Sequence, residues 1–220
     1  VEDPVEYRLP GINQVQVHEK IDLGFERVLR TALRQDPDII LVGEMRDQVT
    51  AEIGMRAAMT GHLVLSTLHT NDAPTSPIRL LDMGVPRYMV ALSLQLVLAQ
   101  RLVRVICENC AEPYQPAPHE HEWLRYELAD RVDGQAYKHG RGCTHCNGTG
   151  YQGRTGVYEM LEMTQALVEA ANQDDPNLFV QAGRHQMAGN TLRHDAVRLV
   201  LAGRTTVEEA MRISNEFEEV

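Results

Sequence analysis

A chain of 220 residues has volume for one large domain, or for a medium and a small one, with a real hydrophobic core. Its 31 Asp and Glu against 21 Lys and Arg give a formal net charge of −10, which repels a phosphate backbone and argues against bulk nucleic-acid binding. No run reaches the roughly 18 apolar residues of a membrane helix, and Val1-Glu2-Asp3-Pro4 lacks the basic start and apolar stretch of a signal peptide, so a soluble, intracellular protein is expected.

Glu2-Asp3-Pro4-Val5-Glu6-Tyr7 opens the chain with no strand or cap before it, and the first strands of the core are expected to lie upstream of Val1. Phe25, Val28, Leu29, Ala32 and Leu33 then follow helical spacing until Pro37 stops it. Ile39-Ile40-Leu41-Val42, an apolar run between Asp38 and Gly43, predicts a buried strand of a mostly parallel sheet. Gln48 to Met59 predicts a helix ended by Gly61, Leu63 to Leu68 a second buried strand, and the stretches near Thr75 to Met83 and Met89 to Val103 two further helices. Cys107 to Gly150, rich in Pro, Gly, His and Cys, predicts a small inserted lobe. After Tyr151 the helical pattern returns, with Leu192, Ala196, Val197, Leu199 and Val200 before Gly203, and Thr206-Val207-Glu208-Glu209 predicts a capping box. The expected organisation is an α/β core over 1–105, a cysteine lobe over 106–150 and a helical subdomain over 151–220.

A carboxylate at the end of a sheet strand, as Glu44 stands after Gly43, is what a nucleotide hydrolase uses to act through Mg²⁺ or a water on a terminal phosphate. Taken alone, such a residue is more often a solvated turn or helix-start residue. Arg30 and Arg34, four apart on one helix face, read either as a pair projecting towards a phosphate at a subunit junction or as a solvated face; Arg46 and Arg79 are further candidates with no discriminating signal. A phosphate loop needs Gly-x-x-x-x-Gly-Lys-Ser/Thr, and neither Lys20, after Glu19, nor Lys138, after Tyr137, fits it.

Cys107-x-x-Cys110 and Cys143-x-x-Cys146 use all four cysteines, and two sulfurs from each knuckle can close a tetrahedron around a structural Zn²⁺. The rivals are two disulfides, disfavoured without a signal peptide, and a redox Cys-x-x-Cys, which normally comes singly. His119, His121, His139 and His145 lie nearby, but four thiolates suffice and leave no open position for a substrate water. The 32 residues between the knuckles exceed a zinc ribbon's usual separation, so the lobe is expected to be partly structured by itself.

Glu2-Asp3-Pro4-Val5-Glu6, the segment Asp36 to Asp47 and the segment Thr60 to Asn71, in this order and at close spacing, resemble the Asp box, Walker B segment and His box of the type II secretion and type IV pilus assembly ATPases. The tetracysteine lobe and Gly153-Arg154-Thr155-Gly156-Val157-Tyr158-Glu159 resemble the assembly branch more than the retraction branch, and the wording is most similar to the mannose-sensitive haemagglutinin pilus assembly ATPases. The resemblance covers nearly the whole chain. It implies a RecA-like core in which Glu6 orients the attacking water, Glu44 acts on the Mg²⁺ side of the phosphate, and His62 and His69 contact or sense the terminal phosphate, with Arg30 and Arg34 as further phosphate-facing candidates. It also implies ATP and Mg²⁺ as cofactors, with the phosphate loop and a separate domain ahead of Val1. The implied assembly is a hexamer on the cytoplasmic side of the bacterial inner membrane, docked on a platform protein and driving pilin or pseudopilin assembly. On that reading the chain alone binds ATP poorly and does not turn it over. The alternative is a zinc-stabilised docking module without catalysis; a zinc-ribbon nucleic-acid binder is opposed by the net charge and the lack of aromatic and basic interleaving.

Overall fold

The structure, a computed structural model, describes residues 1–128, 132 and 134–215. In chain order the elements are α1 (Phe25–Ala32), β1 (Ile39–Val42), α2 (Gln48–Met59), β2 (Leu63–Ser66), α3 (Ser76–Asp82), α4 (Arg87–Ser93), β3 (Leu96–Ile106), β4 (Ala111–Tyr114), α5 (Pro118–Leu128), β5 (Tyr137–Gly140), β6 (Tyr151–Glu162), α6 (Gln165–Ala171), α7 (Pro176–Gln186), α8 (Leu192–Leu201) and α9 (Val207–Asn215). Helices and strands are mixed, and the strands form three two-stranded sheets among the described residues: β1 with β2, β3 with β6, and β4 with β5. No helix among these residues is long and apolar enough to cross a membrane. Two compact units result, Val1–Val97 with Glu162–His185 and Leu98–Leu161 with Gln186–Val220.

In the first unit β1 and β2 run parallel, with Ile39 opposite Leu63, Ile40 opposite Val64, Leu41 opposite Leu65 and Val42 opposite Ser66. Asp47 caps α2, its carboxylate accepting the Thr50 N–H at 2.8 Å. Ala51, Ile53, Met55 and Ala57 of that helix then join Ile40, Val42, Leu29, Leu80, Met89 and Val90 in one core. That core covers a single face of the pair. Ile39, Leu41, Leu63 and Leu65 remain 47–62% exposed, so the two strands expected to be buried are each apolar on a face that no described residue covers. On the other edge of β1 the Val1 amino group donates to the Leu41 carbonyl at 2.7 Å, and the Gly43 N–H donates to the Val1 carbonyl at 2.7 Å. Val1 thus occupies a parallel strand's seat beside Val42.

In the second unit β4 and β5 are antiparallel, from Ala111 opposite Gly140 to Tyr114 opposite Tyr137, and α5 lies between them in sequence. The region between the cysteine knuckles therefore has secondary structure of its own, as its length led one to expect.

Three further expectations are corrected. The helix expected over Met89 to Val103 stops at Ser93, and Leu96–Ile106 is β3. Its buried positions Ala99, Val103 and Ile106 are four and three residues apart, a helical spacing produced here by a strand paired with β6. The tail opens with a strand, since Tyr151–Glu162 is β6, with Val157, Glu159 and Leu161 buried and Tyr158, Met160 and Glu162 exposed. Helices follow it, α6 to α9. In the predicted capping box the Thr206 hydroxyl accepts the Glu209 N–H at 3.3 Å, but the Glu209 carboxylate turns to the backbone N–H and Nε of Arg104.

Candidate nucleotide edge and cysteine cluster

At the carboxyl end of β1 the chain runs Val42-Gly43-Glu44, and the Glu44 side chain is 12% exposed. Arg46 Nε donates to Glu44 Oε2 at 2.5 Å, and His69 Nε2, two residues past Thr67 at the end of β2, lies 3.2 Å from the same oxygen. The Arg46 guanidinium holds the Glu44 carboxyl below the usual range; burial opposes this and the His69 contact adds to it. The hydrogen bond to Glu44 and the Glu44 charge in turn raise the pKa of Arg46, and the Asp3 charge adds to them. An ionised carboxylate at the edge of a parallel pair, flanked by a guanidinium and an 85% exposed imidazole, can hold a cation or orient a water and meet a phosphate with donors.

Of the residues singled out in the sequence, Glu44 and His69 meet. His62 lies at the opposite end of β2, its Nδ1 3.0 Å from the Ala57 carbonyl and 3.2 Å from the Thr60 hydroxyl at the end of α2. Arg30 is paired with Glu26 on its own helix, Nε to Oε1 at 3.0 Å, while Arg34 sits exposed in the 3₁₀ turn Leu33–Gln35 and Glu6 is exposed beyond Asp3-Pro4. Arg46, in sequence a further candidate with nothing to discriminate it, joins the site. Its only signal was its position two residues after Glu44.

In the second unit the four cysteine sulfurs lie within 4.8 Å of one another, and three of the residues are buried. The separations of Cys107 to Cys143, Cys110 to Cys146 and Cys143 to Cys146 are 4.0, 3.9 and 3.8 Å. That is about twice a disulfide's ~2.05 Å and close to the ~3.8 Å edge of a tetrahedron with ~2.3 Å zinc–sulfur bonds. The Cys143 N–H, with the Gly150 N–H behind it, pulls the Cys146 thiol down to about 6 against burial, whereas burial pushes Cys110 up to about 12. Donor set and geometry fit a tetrathiolate Zn²⁺ site.

Two glycines allow that fold. A Cβ on Gly140 would lie 1.9 Å from the Gly150 carbonyl oxygen, so backbone must move to admit any side chain. Gly140→Ala is expected to cost about 2 kcal/mol and to lower metal retention on dialysis; an unchanged metal content and midpoint would contradict the close approach.

The Type II/IV secretion system protein family matches residues 1–212. Type II secretion system protein E of Pseudomonas aeruginosa is 45% identical over 98% of the chain, which spans 42% of that relative's length. The type IV pilus assembly ATPase PilB of Thermus thermophilus is 44% identical over 96% of the chain, which spans 24% of that protein. In fold, the chain is similar to the solved ATPase DotB of Legionella pneumophila, with a TM-score of 0.66 at 21% identity over 97% of this chain and 50% of that one. The sequence similarity takes in the cysteine lobe and the tail as well as the motif segments, and the conclusion is that this chain belongs to the Type II/IV secretion system protein family.

Proposed function

We propose that this chain is the catalytic portion of a motor that hydrolyses ATP to power pilin or pseudopilin assembly, in type IV pilus biogenesis or type II secretion. The observation that carries the reading is the Glu44–His69–Arg46 constellation at the carboxyl end of a parallel strand pair, in a family whose named relatives are secretion and pilus ATPases. In the proposed RecA-like core Glu44 orients the Mg²⁺ side of the phosphates and Glu6 positions the attacking water. His69 senses the terminal phosphate beside Glu44, His62 at the opposite end of β2 relays its presence to the end of α2, and Arg30 and Arg34 face it at a subunit junction. Mg²⁺ supplies charge to the phosphates, and Zn²⁺ bound by Cys107, Cys110, Cys143 and Cys146 has a structural role. The proposed assembly is a hexamer at the cytoplasmic face of the inner membrane, resting on a platform protein.

Because the sequence holds no Gly-Lys-Ser/Thr loop, the 220-residue chain by itself is expected to show no ATP turnover. A chimera in which it replaces the matching portion of a longer type II secretion relative is expected to hydrolyse ATP, and Glu44→Gln to lower that rate by about 100-fold. Full turnover by the Gln chimera would sink the assignment of Glu44. The missing loop also favours a second reading for the chain alone, a zinc-stabilised docking module; a chimera that folds, holds Zn²⁺ and docks but never turns over ATP would favour that one.

A further inference from the structure

We infer that Thr67 is a positioning residue for Glu44, an inference that rests on the reading of Glu44 as the working carboxylate. The β1–β2 ladder ends at Val42 opposite Ser66, so Glu44 stands beyond the last paired residue, where a backbone would otherwise be free to turn. Thr67 fastens it on both sides. Its hydroxyl donates to the Gly43 carbonyl at 2.6 Å, and its own carbonyl accepts the Met45 N–H at 3.2 Å. The two peptide groups flanking Glu44 are therefore tied to one residue, and His69, two residues further along the same segment, reaches the Glu44 carboxylate.

Thr67 is exposed, so its side chain is not there to pack. What it supplies is a donor. The Gly43 N–H is already given to Val1, and the hydroxyl engages the carbonyl of the same residue, so both peptide groups that meet at Gly43, just ahead of Glu44, are held. Serine can make that bond, and valine, of the same shape, cannot.

The test uses the 220-residue chain with Thr67→Val and Thr67→Ser, followed by NMR of the Glu44 side-chain carboxyl through a pH titration and of Met45 amide exchange. In the Val variant the Met45 N–H is expected to exchange about three- to ten-fold faster, and the Glu44 carboxyl to titrate nearer the usual carboxylate range, with the overall unfolding midpoint unchanged. The Ser variant is expected to match the parent chain. Val indistinguishable from the parent in both readouts, or Ser behaving like Val, overturns the inference. A loss of the unfolding midpoint in Val that Ser also shows would assign Thr67 to folding and overturn it as well. These readouts involve no nucleotide, so they stand apart from the Glu44→Gln chimera, whose full turnover would remove the catalytic reading while leaving the fastening of Glu44 in place.

Discussion

Stripping metal from the purified chain with a chelator is expected to open the lobe between Cys107 and Gly150, and Cys110→Ser to do the same without chelator. Structural tetrathiolate zinc contributes on the order of 10 kcal/mol to small domains, because without the cation nothing else draws the four sulfurs together. Here the knuckles also carry the backbone. Cys107 N–H donates to the Gly150 carbonyl at 2.9 Å, Arg141 N–H to the Cys110 carbonyl at 3.0 Å, and Gly148 N–H to the Cys143 carbonyl at 2.9 Å, so two strand-end contacts and the turn of the second knuckle hang on the cluster. One residue before Cys107, the Ile106 N–H donates to the Arg204 carbonyl at 2.9 Å, which carries the disturbance to the turn ahead of α9. Hydrogen exchange with and without chelator, in reductant, should show these amides losing protection together, while β1 and α2 are unaffected. One equivalent of zinc per chain is expected by elemental analysis. Unaltered exchange at Cys107, Arg141 and Gly148 after complete metal removal would contradict a structural metal.

The parts of the fold that were legible in the sequence were those whose burial follows one period. Ile39–Val42 is apolar throughout and bounded by Asp38 and Gly43, and Gln48–Met59 starts at a capping aspartate and ends before Gly61; both elements have the expected bounds. β3 was misread because a long strand buried Ala99, Val103 and Ile106 at a helix's spacing. β6 does alternate, but in an unhelpful sense, since its inward row contains Glu159 and its outward row Tyr158 and Met160. Glu159 is inside for a local reason, as its carboxylate accepts the Leu192 N–H at 3.0 Å at the start of α8, where the Thr191 hydroxyl also caps. At the carboxyl edge of β1 and β2 the order of three motifs made Glu44 and His69 visible, because their distance in sequence is set by one strand and one helix. Arg46 was no more than a further candidate, for the opposite reason. An arginine just after a strand has no periodicity to betray it, and only the geometry shows it closing on Glu44.

Glu209→Ala is expected to destabilise the second unit by about 3 kcal/mol. The side chain is 1% exposed, and its oxygens accept the Arg104 N–H at 2.7 Å, Arg104 Nε at 2.9 Å and the Arg104 terminal nitrogen at 2.8 Å. Arg104 in turn lies over the Tyr151 ring at 4.0 Å, and the Tyr151 hydroxyl meets the Thr206 hydroxyl at 2.9 Å, so one carboxylate ties β3, β6 and the first turn of α9. Removing it leaves a backbone donor and a half-exposed guanidinium without their acceptor, and the cost comes from those orphaned groups more than from a lost attraction. The sign of the pH dependence follows. Burial pushes the Glu209 carboxyl up, but the hydrogen bonds from Arg104 and the Arg104 and Arg212 charges outweigh it and leave it below its ordinary value. A carboxyl with a depressed folded-state pKa contributes stability above its unfolded value and loses it as pH falls through the folded one. The gap between the parent chain and Glu209→Ala should therefore be full at neutral pH and narrow towards about pH 3. Trp123, the single tryptophan, sits on α5, which packs against α9, and its fluorescence in urea reports this unit. Glu209→Gln, keeping one acceptor oxygen, should fall between the two and show little pH dependence; a Glu209→Ala gap as wide at pH 3 as at neutral pH would assign the loss to packing and not to the clasp.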